Sequence, residues 1–189
     1  MMDMSNSDRL ALAAVLFDPG QPVDGVLRTA LAGFGGFRLL GWLQGQDGTR
    51  DCDCHDIVLT AIQGGARRMI TQELGGGSQG CRLDGGALAE IAGWLSADLA
   101  QAPDLLVLNR FGKTEAEGGG LRAVLEQALA LDVPVLVPVN RRQLPFWREY
   151  CGDLALELPC EAQEIADWLA SVLPAQPRTA APAPEVSVA

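Results

Sequence analysis

The chain has 189 residues, 48% hydrophobic and 20% charged, a composition that suits one domain with a full core and excludes a disordered polymer. A formal charge of -10 argues against a nucleic-acid binder, which would carry a basic patch or stripe, and against electrostatic docking on an anionic membrane. No stretch approaches the ~20 apolar residues of a membrane span. The first eight residues lack the basic start of a secretory signal, so the expected location is cytoplasmic. Five cysteines, an odd number without an export signal, read as free thiols rather than a disulfide framework.

In chain order, residues 10–17 are apolar throughout and stop at the turn residues Asp18, Pro19 and Gly20, which predicts a first buried strand. Val23, Val26, Leu27, Ala30 and Leu31 follow at helical spacing. Residues 38–44 are short and apolar, a second strand, so the opening is β-α-β. Residues 51–56 (Asp-Cys-Asp-Cys-His-Asp) gather Cys52, Cys54 and the only histidine, His55. Zinc sites usually want Cys-x2-Cys spacing and a second ligand pair, which is missing here unless Cys81 approaches. The competing reading is a polar loop. A single histidine and no Gly-x-Ser-x-Gly elbow leave a histidine triad without support.

Residues 56–63 and 67–74, joined by Gly64-Gly65, predict a hairpin lying antiparallel at one sheet edge. The run Gly75-Gly76-Gly77-Ser78-Gln79-Gly80-Cys81-Arg82 lies between this hairpin and the next helix, whose cap is Asp84. Glycines let backbone amides converge on an anion, Gly75 and Gly80 have the mutual spacing of a phosphate loop, and Arg82 can hold an oxyanion bidentately. Cys81 and Arg82 stand where lysine and Ser/Thr would be expected, and a plain hairpin-to-helix linker is the other reading. The helix carries Leu88, Ile91, Ala92 and Leu95 on one side. Trp94 and Trp168 are expected in the core.

Residues 104–108 (Asp-Leu-Leu-Val-Leu) predict a strand buried on both faces. It runs into Asn109, Arg110, Phe111, Gly112 and Lys113 before an apolar helical pattern at 121–129. Ligands of open α/β sheets sit at such carboxyl edges. Gly112-Lys113-Thr114 is not a Walker A motif, because the position five before Gly112 is Val107, inside the strand. Lys113 can still place positive charge near a phosphate. Glu115 and Glu117 are either water activators or favourable charges at a helix start. A further strand at 134–139, a short helix at 144–150, a last strand at 154–158 and an amphipathic helix at 161–173 complete a three-layer α/β domain over residues 9–173. Residues 174–189 are Ala, Pro and small polar residues, expected to be a disordered tail.

At residues 104–115 the chain resembles the nucleoside triphosphatases of thermophile type, whose Walker B segment follows a buried strand. Gly112, Lys113 and Glu115 match that segment, and Asn109 and Arg110 replace its two acids. Over roughly residues 10–160 it resembles more closely an uncharacterised bacterial family related to these enzymes. Two motifs carry that resemblance, Gly-Cys-Arg-Leu-Asp at 80–84 and Asn-Arg-Phe-Gly-Lys-Thr-Glu-Ala-Glu-Gly at 109–118. It implies a P-loop-like, mostly parallel sheet and an association with molybdate-transport and molybdenum-enzyme genes. The departure is at residues 18–23 (Asp-Pro-Gly-Gln-Pro-Val), where the enzymes have their phosphate loop and this chain has no lysine. Losing that lysine and the magnesium-holding aspartate removes two parts of P-loop phosphoryl transfer.

The resemblance therefore implies an accessory or regulatory protein with a degenerate site. Its ligand would be a small anion, a nucleotide phosphate or an oxyanion such as molybdate, and it would have a protein partner in molybdenum uptake or use. The expected contacts are Gly75, Gly76, Gly77, Ser78, Gly80, Arg82, Asn109 and Lys113. The alternatives are a triphosphatase of low activity with a rearranged phosphate loop, using Glu115 or Glu117, and a metal-handling module using Cys52, Cys54, His55 and Cys81.

Overall fold

In this computed structural model the described residues are 11–45, 57–71 and 84–176. The strands are β1 (Leu12–Phe17), β2 (Leu39–Gln44), β3 (Val58–Ala61), β4 (Arg67–Met69), β5 (Leu105–Val107), β6 (Val135–Asn140) and β7 (Ala155–Pro159). The helices are α1 (Val23–Leu31), α2 (Gly85–Leu99), α3 (Lys113–Ala116), α4 (Arg122–Ala130), α5 (Leu144–Cys151) and α6 (Ala162–Val172). All seven strands form one sheet in the order β4-β3-β2-β5-β6-β1-β7. Strands β2, β5, β6, β1 and β7 are parallel, while β3 runs antiparallel to β2 and β4 antiparallel to β3. The expected mostly parallel sheet with a hairpin at one edge is what forms, and the apolar run after Asp104 is its middle strand.

Burial on both faces follows from the alternation of side-chain direction along strands that are apolar nearly throughout. On β1, Leu12, Ala14 and Leu16 join one core cluster and Ala13, Val15 and Phe17 join the other. Helices α2, α4 and α5 cover the first face through Leu88, Ile91, Leu95, Leu125, Ala128 and Trp147. Helices α1 and α6 cover the second through Val23, Leu27, Ile165, Trp168 and Leu169. These are the three expected layers.

Local chemistry sets the ends. Asp84 Oδ1 accepts from Gly86 N at 2.8 Å and Ala87 N at 3.1 Å, satisfying two of the first-turn donors of α2. At the opposite edge from the strand ends, the buried Asp104 accepts from Arg38 N at 2.9 Å and donates its own N–H to Arg38 O at 2.9 Å. This clamps the starts of β2 and β5 together. One expectation is corrected: Trp168 is core, but Trp94 is 47% exposed, its ring lying alongside buried Trp42 rather than under it. The expected tail falls outside the described residues from 177 onward.

Gly41 carries the closest strand contact. Its φ is +147°, and a Cβ there would meet Val107 O at 2.1 Å across the β2–β5 pairing. The neighbour is backbone and cannot swing away. Gly41→Ala is therefore expected to lower unfolding free energy by about 3 kcal/mol in urea titration. Gly93→Ala in α2, with open space around it, is expected to raise it by up to ~1 kcal/mol through helix propensity.

Candidate functional site at the carboxyl edge

The chain runs from β1 across two strands to β2, returns through β5 and β6, then passes β1 to reach β7. The helix after β1 packs on one face and the helix after β6 on the other. The crevice between the carboxyl ends of β1 and β6 is thus the topological switch point, where open α/β sheets bind ligands. Asp18 from the β1 end and Arg141 from the β6 end form an ion pair across it, Nε to Oδ2 3.5 Å.

The loop from β1 into α1 is the position where a phosphate nest would stand. Its backbone is spent internally. Pro19 and Pro22 have no N–H. Asp18 N donates to Gln21 Oε1 at 2.7 Å, Gln21 N to Asp18 O at 3.0 Å, and Val23 N to Gln21 O at 2.9 Å. A nest needs successive free N–H groups pointing at one anion, and this loop has turned them into its own turns.

Beside it lies a contact that sequence reasoning missed. Asp24, in the first turn of α1, is only 7% exposed. Its Oδ2 accepts from Arg110 Nη2 at 2.6 Å and its Oδ1 from Gln44 N at 2.9 Å. Gln44 O accepts from Arg28 Nη2 at 3.0 Å. The Arg110 guanidinium also lies 5.2 Å over the Phe17 ring. One carboxylate therefore joins the ends of β1, β2 and β5. The only advance sign was an acid among the apolar positions at the start of α1; its partner stands 86 residues away.

The expected residues after β5 divide. Asn109 is half-buried, and its Oδ1 is buried with no hydrogen-bond partner among the described residues. The Lys113 side chain is 82% exposed and sits 3.6 Å from Glu117. Glu115 is structural: Oε2 accepts from Gly112 N at 3.0 Å and Oε1 from Leu121 N at 3.1 Å. Of the two readings of this glutamate, the helix-start charge is the one the geometry favours. Gly75, Gly76, Gly77, Ser78, Gly80 and Arg82, and the cluster Cys52, Cys54, His55 and Cys81, lie outside the described residues. The flanks of both segments are described, and they adjoin: Ile70 N donates to Ile57 O at 2.9 Å and Asp84 N to Ile70 O at 2.8 Å. Because β4 runs parallel to β2, Thr71 and Asp84 stand at the same carboxyl edge as Asn109.

Two groups in this region, Tyr150 and Cys160, are shifted further from neutral pH. Burial, reinforced by Glu126, pushes the Tyr150 phenol up to about 12. Burial, then the nearby Asp24 and Glu161 carboxylates, raises the Cys160 thiol, so it stays protonated and weakly nucleophilic. Among the described residues, no group of three His, Cys, Asp or Glu side chains is placed to hold a metal ion.

A family model described as a protein of unknown function (DUF2478) matches residues 12–168. The chain is 33% identical over 175 residues to the molybdenum import ATP-binding protein ModC 2 of Bradyrhizobium diazoefficiens. That alignment covers 88% of this chain and 19% of the relative, so the chain spans about a fifth of the length of the curated protein it matches. No solved structure matches.

Two substitutions probe the geometry. Asp24→Ala leaves the Gln44 N–H and the Arg110 guanidinium without their acceptor, and a loss of about 2–4 kcal/mol is expected in urea titration. Gly120 has φ +58°, and a Cβ there would lie 2.0 Å from Glu115 Oε1. Gly120→Ala should lose about 1–3 kcal/mol, and less when combined with Glu115→Ala, because the clash is then gone and only the strain of the positive φ remains.

Proposed function

The chain belongs to the DUF2478 family, and from that membership and the carboxyl-edge geometry we propose that it is a non-hydrolytic accessory protein that binds a small oxyanion in molybdenum import. The observation that carries this reading is the Asp24–Arg110 pair beside a self-satisfied β1–α1 loop. P-loop phosphoryl transfer needs a phosphate-cradling loop with its lysine, and a magnesium ion held by a hydroxyl and an acid. In the resemblance drawn above, Arg110 stands at one of the Walker B acids. A cation at that place, already bound to a buried aspartate, does not fit a magnesium ion. No step of hydrolysis is built on one.

The ligand proposed is a tetrahedral oxyanion, of which molybdate and a nucleotide phosphate are two sources. Asn109 and Lys113 would contact it, and so would Gly75, Gly76, Gly77, Ser78, Gly80 and Arg82 of the segment between Thr71 and Asp84. Asn109 stands at the head of the β5 loop, and its buried Oδ1, an acceptor, is not the atom that would meet an oxyanion. Its amide N–H groups can donate to the anion, and the exposed Lys113 supplies charge. The molybdenum link rests on the name of the relative, and four-fifths of that relative lies beyond the similar stretch. We take this as support for a working partnership between this chain and a molybdenum import ATP-binding protein.

One observation favours the metal-handling reading as second choice: the adjoining flanks Ile57, Ile70 and Asp84 start and end the two segments that carry Cys52, Cys54, His55 and Cys81. Metal analysis of protein purified without chelator decides it, an empty protein removing that reading.

Isothermal titration with sodium molybdate, ATP and GTP tests the main proposal. Saturable heat is expected with at least one, weakened about tenfold in Lys113→Ala, as suits a charge-assisted contact. Phosphate release from ATP or GTP with magnesium should stay at background. Heat with none of the three overturns the binding, and turnover lost in Lys113→Ala and Glu115→Ala overturns the non-hydrolytic claim.

A further inference from the structure

The amino edge of the sheet holds a second concavity, remote from the strand ends that carry Asp24 and Asn109. It encloses about 460 Å3 between α2 and the β2–β3 pair, within the size range of small-molecule sites. Its lining includes Leu40, Trp42, Ala61, Ala66, Trp94 and Asp98. The space exists because the hairpin side is built from small residues, Ala61 and Ala66 together with Gly41, whose side-chain position the backbone of β5 forbids filling.

Three observations specify what would fit. First, Trp42 and Trp94 lie nearly parallel, 25° between planes with centroids 5.9 Å apart. Buried Trp42 holds one indole fixed, and Trp94 keeps 47% of its surface in solvent. An aromatic ring left half-open beside a cavity is an apolar plate with a negative π face. Second, Asp98 stands one turn after Trp94 on the same face of α2. It is exposed and makes no ion pair with any described residue. Third, the other charged group of the lining, Arg38, makes no ion pair with Asp98, and its Nη1 donates instead to Gln101 O at 2.7 Å in the α2–β5 connection. The cavity therefore combines a stacking surface with an exposed carboxylate that pairs with no described cation, in a chain of net charge -10.

We propose that this cavity binds a flat organic cation of small-molecule size, an aromatic ring bearing an amidinium-like or pyridinium-like charge. The ring lies against Trp94 and the charge faces Asp98. Cation–π attraction to tryptophan and a carboxylate partner act together on such a ligand, and a neutral ring of the same shape loses both. The site is independent of the oxyanion proposal, since it uses none of the same residues.

The test is a titration of the ¹⁵N-labelled full chain with benzamidine, using neutral benzamide as the isosteric control. The chain has four tryptophans, so each indole N–H cross-peak reports one place. The Trp42 and Trp94 peaks are expected to shift saturably, while Trp147 of α5 and Trp168 of α6, both buried, stay fixed. Affinity should fall about fivefold in Asp98→Asn and about tenfold in Trp94→Ala. Ala61→Leu, which fills the floor, should abolish the shifts. In every variant the unmoved Trp147 and Trp168 peaks show that the fold is kept. Stationary Trp42 and Trp94 peaks, equal affinity for benzamide, or an unchanged affinity in Asp98→Asn each overturn the proposal.

Discussion

A carboxylate taken out of water must find donors, and the structure turns on how Asp24 finds them. One oxygen takes the Gln44 N–H at the end of β2 and the other takes Arg110 at the end of β5, while the residue itself belongs to the helix that follows β1. Three strand ends that are distant in sequence are thereby held in one arrangement. The pair need not add much to stability, because desolvating both ions offsets most of their attraction. Its effect is specific: with the Arg110 side chain 39% exposed and that of Asp24 9%, an arrangement that separates them strands the more buried charge.

Much of this scaffold could be read from the chain. The runs at β1 and β5, and β6 up to Val139, are apolar throughout because a parallel sheet buries both faces, and a fully buried strand leaves no alternation to misread. The hairpin was legible from Gly64-Gly65, which both adopt positive φ. Asp84 announced the start of α2. What could not be read was tertiary. The pattern placed Trp94 inward, but a helix face says only that a residue can be buried, and here the facing hairpin is too small in side chains to cover it. The Asp24–Arg110 contact had no local signal at all, since nothing within a turn of either residue hints at the other.

Glu115 shows the same limit from the other side. Its place three residues after Gly112 suited either chemistry or capping, and only coordinates separate the two. Both of its oxygens are taken by backbone donors, Gly112 N and Leu121 N, which pin the glycine run 118–120 against α3. A carboxylate so engaged holds a loop in place, with each oxygen fixed by a backbone donor. Four-residue α3 is too short to persist by itself, and this double hold explains why it forms.

The distribution of charge along the carboxyl edge then constrains what the edge can accept. The inner pair, Asp24 with Arg110, is neutral in sum and closed to a divalent ion, because a magnesium ion would have to displace a guanidinium that a buried aspartate and the Phe17 ring both retain. The outer cations are held loosely. The Lys113 side chain is 82% exposed, and that of Arg141 is 49% exposed with its aspartate at 3.5 Å, a separation at which surface pairs contribute little. A centre that is already neutral, flanked by cations whose carboxylate partners hold them loosely, supports the proposed small anion arriving without a metal. On the proposed reading, an arginine in place of an acid after β5 changes the ligand the sheet edge suits while the parallel scaffold beneath it stays the same.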